Sequence, residues 1–220
     1  MLLVGHRGAS AYEPENTLRS FRAAVDLGAN AVELDIRATR DGKIVVIHDS
    51  KVNRTTNGKG RVSKLTLSEI RKLDAGMEEK IPTLAEAVVW AKGRATLLVE
   101  FKEPGLEAKA VKIFRGNKDI LAISFFATVL EELKRISPRV KTGLLFDSKP
   151  KNLDEFLSSC KQLKISWILG KAKFVNRKLV SKAHEKGLRV LAWTIDRPRV
   201  LAKKIALGLD GVTSNKPDLF

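Results

Sequence analysis

A single cysteine, Cys160, leaves this chain without a partner for an intrachain disulfide. With no other Cys and no His near it in sequence, it reads as a packed apolar residue. No stretch reaches the roughly 18 consecutive apolar residues of a membrane span. The opening apolar run stops at His6-Arg7, too soon for a secretory leader, so the expected compartment is the cytoplasm and no stable membrane insertion is expected. Aromatics make up only 6% of the residues. The basic stretch from Lys171 to Lys204 holds just Phe174 and Trp193 among them, too few for a base-stacking platform, so nucleic acid is not an expected partner. No glycine-rich phosphate loop follows the first apolar run, which argues against a doubly wound dinucleotide fold. No internal repeat or low-complexity segment is present.

Positive charge, by contrast, is abundant. The 220 residues carry 41 Lys and Arg against 25 Asp and Glu, a net of +16, and residues 151–210 alone hold 14 basic against 5 acidic side chains. Such a surface attracts anions, whether phosphorylated small molecules or anionic membrane surfaces. The late cations follow helical spacing between apolar positions, so solvated helix faces account for most of them.

With 44% hydrophobic residues the chain is long enough to bury one substantial core, and residues 1–220 read as a single domain. Short apolar runs at 2–5, 31–36, 96–101, 120–125, 141–146, 165–169, 189–194 and 211–214 alternate with helical periodicity over 15–27, 83–92, 106–115, 127–136, 152–162, 176–186 and 197–207. Boundary signals mark several helices: Pro14 and Gly28 around the first, a Thr83/Glu86 capping box, Asn176 as a cap, and Gly187 and Gly208 as stops. Eight strands alternating with seven helices imply a TIM (β/α)8 barrel, close to its lower size limit of about 200 residues. The chain ends soon after the eighth strand, so the eighth helix is expected to be missing or reduced to a turn at Pro217. Asp41-Gly42 between two extended runs predicts a hairpin over 36–48. Residues 49–82 form a small cap-like insertion after the second strand, with one short helix near 66–73.

The chemistry gathers at strand ends. His6-Arg7-Gly8 closes the first apolar run, Glu33-Leu34-Asp35 the second, His48-Asp49 the run 44–47, and Glu100-Phe101-Lys102 the run 96–99. Residues i and i+2 of a strand share a face, so Glu33 pairs with Asp35 and Glu100 with Lys102. A rim salt bridge, Glu100 with Lys102 or Arg7 with Asp35, explains any one of these pairs but not all of them together. Burying unpaired charge is costly, and three carboxylates without a nearby Cys suit one hard divalent cation, Mg2+ or Ca2+ with Mn2+ acceptable.

Taken in order, His6-Arg7-Gly8, Pro14-Glu15-Asn16-Thr17, Glu33-Leu34-Asp35, Asp41-Gly42, His48-Asp49, Arg54-Thr55-Thr56, Ile81-Pro82-Thr83-Leu84, Glu100-Phe101-Lys102, Ser124-Phe125, Trp193-Thr194 and Asp210-Gly211-Val212-Thr213 form a specific set. On these motifs the chain resembles the glycerophosphodiester phosphodiesterase family over essentially its whole length. The resemblance implies a TIM-barrel hydrolase that splits glycerophosphodiesters into glycerol phosphate and an alcohol with a bound divalent cation. By position, Glu33, Asp35 and Glu100 match the family's metal ligands, and His6 and His48 its general acid/base pair. Arg7 and Lys102 match its phosphate-contacting cations, and Trp193 an aromatic on the glycerol side. Three positions depart from the pattern. Asp196 stands where Asn is frequent, Ser214-Asn215 stands where Asp commonly follows the Thr, and the link from Gly76 to Ile81 is short, implying a more open cap. His184 falls in a surface-helix pattern and carries no expected role.

The mechanism this implies uses one histidine to deprotonate water or the glycerol 2-hydroxyl and the other to protonate the leaving alcohol. His6 is preferred as base and His48 as acid. One rival is a lyase-type phospholipase on the same scaffold, which would release a cyclic phosphate. The other is a non-enzymatic binder of polyanions or anionic membranes, indifferent to Glu33 and Asp35.

Overall fold

The computed structural model describes residues 1–220. In chain order the elements are β1 (Leu2–His6), α1 (Leu18–Asp26), β2 (Ala31–Ala38), β3 (Ile44–Val46), α2 (Leu67–Arg71), α3 (Leu84–Ala91), β4 (Thr96–Phe101), α4 (Glu107–Phe114), β5 (Ile120–Ser124), α5 (Ala127–Ile136), β6 (Lys141–Phe146), α6 (Leu153–Gln162), β7 (Trp167–Lys171), α7 (Arg177–Glu185), β8 (Arg189–Trp193), α8 (Pro198–Ile205) and β9 (Gly211–Ser214). Each strand other than β3 pairs in parallel with its neighbours, and β1 pairs with both β2 and β9, so eight strands close a barrel. The expected TIM barrel is what the chain forms. A 3-10 turn at Pro217–Leu219 stands in place of the last helix. No helix is long and apolar enough to cross a membrane.

Alternation along the strands builds two cores. Val32, Leu34 and Ile36 of β2, with Leu97, Val99 and Phe101 of β4, face outward and pack into the large core shared with the helices. Val4, Ala31, Leu98, Leu121, Ile123, Leu145, Trp167, Leu169 and Leu191 fill the barrel interior. Each fully buried Leu or Phe contributes roughly 1.5–3 kcal/mol. Because i and i+2 share a face, the residues above this apolar plug on the same inward rows are His6, Glu33, Asp35, Glu100 and Lys102. Register places His6 beside Glu33 and Asp35 beside Glu100.

The caps anticipated from sequence set the helix starts. Thr83 Oγ1 accepts from Glu86 N while the Glu86 carboxylate accepts from Thr83 N, and Asn176 accepts from Leu179 N. The first helix differs from expectation. It begins at Leu18, capped by Thr17, and not at residue 15. Asn16 lies in the left-handed region at φ 61 and donates its backbone N–H to the Arg7 carbonyl, which stops the helix from reaching back to Pro14. Small shifts elsewhere, such as β7 at 167–171 in place of 165–169, leave the topology unchanged.

The hairpin forms as expected. β3 runs antiparallel to β2, with Gly42 at φ +69 in the turn and the Thr39 N–H bonded to the Lys43 carbonyl. After it, residues 49–82 build a small core of their own from Val52, Val62, Ile70, Ala75 and Ile81, packed on Val45 and Ile47.

Candidate active site

Glu33, Asp35 and Glu100 converge at the C-terminal ends of β2 and β4, each offering one oxygen within 4.8 Å of the others, and all three are buried. Burial and the neighbouring Asp35 and Glu100 charges push Glu33 well above the usual carboxylate range. Burial, with Asp35 beside it, pushes Glu100 up to about 7. Asp35 is raised by burial but lowered by more through Lys102 and Arg7, so it carries the charge of the trio. Glu33 Oε1 and Asp35 Oδ1 have no hydrogen-bond partner. A hard divalent cation fits this donor set: oxygen-only ligands, buried, with Glu33 Oε1 unpartnered and Asp35 Oδ1 met only by the long ion pair to Lys102.

The cations expected to meet phosphate lie against the same acids. Lys102 Nζ is 2.7 Å from Glu100 Oε1 and 3.4 Å from Asp35 Oδ1. Arg7 Nε is 3.3 Å from Asp35 Oδ2, and its backbone N–H donates to Glu33 Oε2 at 3.0 Å. Arg7 reaches both by adopting φ 54, a strained conformation for a non-glycine residue that costs of order 1–3 kcal/mol. Gly8 follows at φ +86, where a Cβ would collide with the Ser20 backbone of α1, so the loop admits only glycine there.

The two histidines face the trio from opposite supports. His6 Nε2 is 3.8 Å from Glu33 Oε2, and its Nδ1 lies 2.7 Å from Asn215 Oδ1. His48 comes from the hairpin, where Ile47 N bonds to the Asp35 carbonyl and Arg37 Nε holds the His48 carbonyl at 2.8 Å. Its Nδ1 meets Asp49 Oδ1 at 2.7 Å. Burial lowers both imidazoles and Arg7 adds to it at each; Asp35 opposes it at both, joined by the Asn215 hydrogen bond at His6 and the Asp49 hydrogen bond at His48. The acid, base and cation positions share one cavity of about 190 Å3, walled by Leu98, Ile123, Leu145, Leu169, Phe125 and Trp193. Trp193 is half-buried, donates its indole N–H to the Leu169 carbonyl and stacks edge-on to Phe125. All eight residues expected at the site are therefore together. His184 is not among them and pairs with Asp210 on the surface.

Seven supporting residues carried no expected role. Asn16 Nδ2 donates to Asp35 Oδ2 at 2.8 Å, and Arg37 anchors His48. Arg54 of the insertion bonds Asp49 and both Glu15 oxygens, at 2.7–2.8 Å, and Glu15 in turn accepts from Arg7. Arg54 holds the Asp49 carboxyl well below its ordinary range. Asp196 and Asn215, two of the departing positions, meet in space beside His6. In the sequence, Glu15, Asn16, Asp49 and Arg54 were marked by sitting inside recognisable motifs and Asp196 and Asn215 by departing from the pattern, while Arg37 carried no signal.

The family model described as the glycerophosphoryl diester phosphodiesterase family matches residues 6–219. The chain is 35% identical to a glycerophosphodiester phosphodiesterase of Caldanaerobacter subterraneus, over 99% of this chain and 95% of that protein. Its fold is similar to an Oleispira antarctica phosphodiesterase solved in complex with the product sn-glycerol-3-phosphate, with a TM-score of 0.90, 32% identity, and 98% and 93% of the two chains covered. A glycerophosphodiester phosphodiesterase from Thermotoga maritima is similar at a TM-score of 0.88 and 28% identity, covering 100% and 97%.

Proposed function

Because this chain belongs to the glycerophosphoryl diester phosphodiesterase family, we propose that it hydrolyses small glycerophosphodiesters to glycerol phosphate and an alcohol in a cation-dependent reaction, with His6 as general base and His48 as general acid. The observation that carries this reading is the buried Glu33, Asp35 and Glu100 trio flanked by two histidines in one cavity. Glu33, Asp35 and Glu100 would hold one divalent cation, Mg2+, Ca2+ or Mn2+, which when bound supplies Lewis-acid neutralisation of the phosphate charge.

Arg7 and Lys102 contact the non-bridging oxygens and offset the charge that develops on them. His6 Nε2 takes the proton of the nucleophile, water or the glycerol 2-hydroxyl, as its oxygen bonds to phosphorus. The bond from phosphorus to the alcohol oxygen breaks, and His48 Nε2 delivers its proton to that oxygen. Where the 2-hydroxyl was the nucleophile, water then adds to the cyclic phosphate, losing its proton to His48 as the ring P–O bond breaks and His6 returns the proton to the 2-oxygen. The partners of the two rings support this division: a charged carboxylate, Asp49, stabilises an imidazolium at His48 more strongly than the neutral Asn215 oxygen does at His6, where burial and Arg7 favour the imidazole. Trp193 and Phe125 pack against the glycerol carbons. Residues 1–220 act as one unit with 49–82 as its cap, and a lone buried thiol suits a cytoplasmic setting.

A glycerophosphodiester with a p-nitrophenol leaving group tests the assignment, since that leaving group needs no proton. His6→Ala is expected to lose roughly 100-fold to 10,000-fold in kcat on choline and p-nitrophenyl esters alike, whereas His48→Ala is expected to lose it only on the choline ester. Equal losses on both esters would reject His48 as the acid. Phosphorus NMR that finds a cyclic phosphate as the final product would replace hydrolysis with the lyase reaction.

A further inference from the structure

Asp196 and Asn215 lie outside the reacting groups, yet they determine which way the His6 proton points. The carboxylate of Asp196 can only accept. It takes Asn215 Nδ2–H at 2.6 Å on Oδ2, and Asn215 N–H at 2.8 Å and Ser214 Oγ–H at 2.9 Å on Oδ1. With its NH2 end claimed by a carboxylate, the Asn215 amide can turn only its Oδ1 toward His6, and that oxygen also accepts from Ser10 Oγ–H at 2.9 Å. His6 Nδ1, 2.7 Å away, must therefore be the donor, and Nε2 is left bare beside Glu33.

We propose that Asp196 and Asn215 are positioning residues that lock His6 as its Nδ1–H tautomer, leaving Nε2 free to accept the nucleophile's proton. The proposal rests on the reading of His6 as base and adds the device that makes it one. In Asp196→Asn, the new side chain must turn its own oxygen to the Asn215 backbone N–H, so its NH2 faces the Asn215 side chain. Asn215 then flips, presents Nδ2–H to His6, and forces the proton onto Nε2, where the ring cannot act as base. The exchange Asp196→Asn with Asn215→Asp restores the original polarity, because the new carboxylate at position 215 accepts from both the new amide at position 196 and His6 Nδ1–H.

The test combines kinetics with long-range 1H–15N spectra of 15N-histidine protein at alkaline pH, where the neutral ring reports its tautomer; His6→Ala identifies the His6 signals. Asp196→Asn is expected to lower kcat by roughly 100-fold or more with KM nearly unchanged, and to move the His6 proton from Nδ1 to Nε2. The doubly exchanged variant is expected to regain most of the kcat and the Nδ1–H signature. A His6 that stays Nδ1-protonated in Asp196→Asn, or a double variant no faster than the single one, overturns the relay. A purely structural latch would lower the Tm without moving the tautomer. Failure of the wild-type protein to turn over any glycerophosphodiester would count against the phosphodiesterase reading instead, and the spectra would still decide the relay.

Discussion

Glu100 is the residue whose ionisation most directly couples the site to stability. Its folded value of about 7 lies above the ordinary 4.5 because of burial and of Asp35 beside it, and Glu33 is raised in the same direction by burial and by Asp35. Between those values the folded metal-free protein holds a proton that the unfolded chain has released. The contribution of Glu100 to stability is thus fully present below about 4.5, falls as pH rises toward 7, and levels off above it, a loss on the order of 3 kcal/mol. The Tm of the metal-free protein is expected to drop across that window, and the Tm gain on adding Mg2+ to grow across it, since the ligands bind the ion only when deprotonated. A flat Tm profile, or a gain independent of pH, would mean that the three carboxyls ionise as isolated groups. The seven ionisable residues gathered at this cavity, His6, Arg7, Glu33, Asp35, His48, Glu100 and Lys102, were legible in sequence as candidates because each sits at the end of an apolar run, where a charge is conspicuous. Asn16 and Asn215 stood out only as a motif member and a departure from the pattern, because the role of an uncharged amide in a loop is not visible until its partner is seen.

Among the elements, strands and helices were readable because packing reinforces local pattern: Leu97, Val99 and Phe101 alternate with Leu98, Glu100 and Lys102, and both rows are satisfied on opposite faces. Where the site overrides propensity, pattern fails. Pro14 suggested a helix start, but residues 7–17 form a loop whose Arg7 and Asn16 take left-handed angles to reach Glu33 and Asp35. The insertion shows a second limit. Arg54 is fastened to Glu15, 39 residues away, and to Asp49, a pairing that no local signal announces. Arg54→Ala should therefore separate support of the site from support of the fold. Its ion pairs are half-exposed and worth roughly 1 kcal/mol to stability, a Tm loss of about 2–4 °C. Release of Asp49 from Arg54 should cost His48 its orientation, with kcat reduced about tenfold or more. A fall in Tm with kcat intact would assign Arg54 to the fold alone.

For the whole molecule, the net +16 and the acidic site face opposite demands. The cations of residues 151–210 lie mostly on exposed faces such as that of α7, while the carboxylates line the barrel mouth. Association with vesicles containing anionic lipid is expected to be weak, to disappear at high salt within the range of Debye screening, and to be the same for Glu33→Ala as for the native chain. Binding that required Glu33 would tie the charge to the active site instead. The fold is that of a cation-assisted hydrolase only if the trio at its mouth is needed for turnover. The decisive measurement is hydrolysis of glycerophosphocholine and glycerophosphoethanolamine by the metal-stripped protein, with Mg2+, Ca2+ or Mn2+ restored in turn and Glu33→Ala run in parallel. Release of glycerol phosphate that depends on the added cation and vanishes in Glu33→Ala is the expected result, and turnover that persists without a cation, or survives Glu33→Ala, would contradict it.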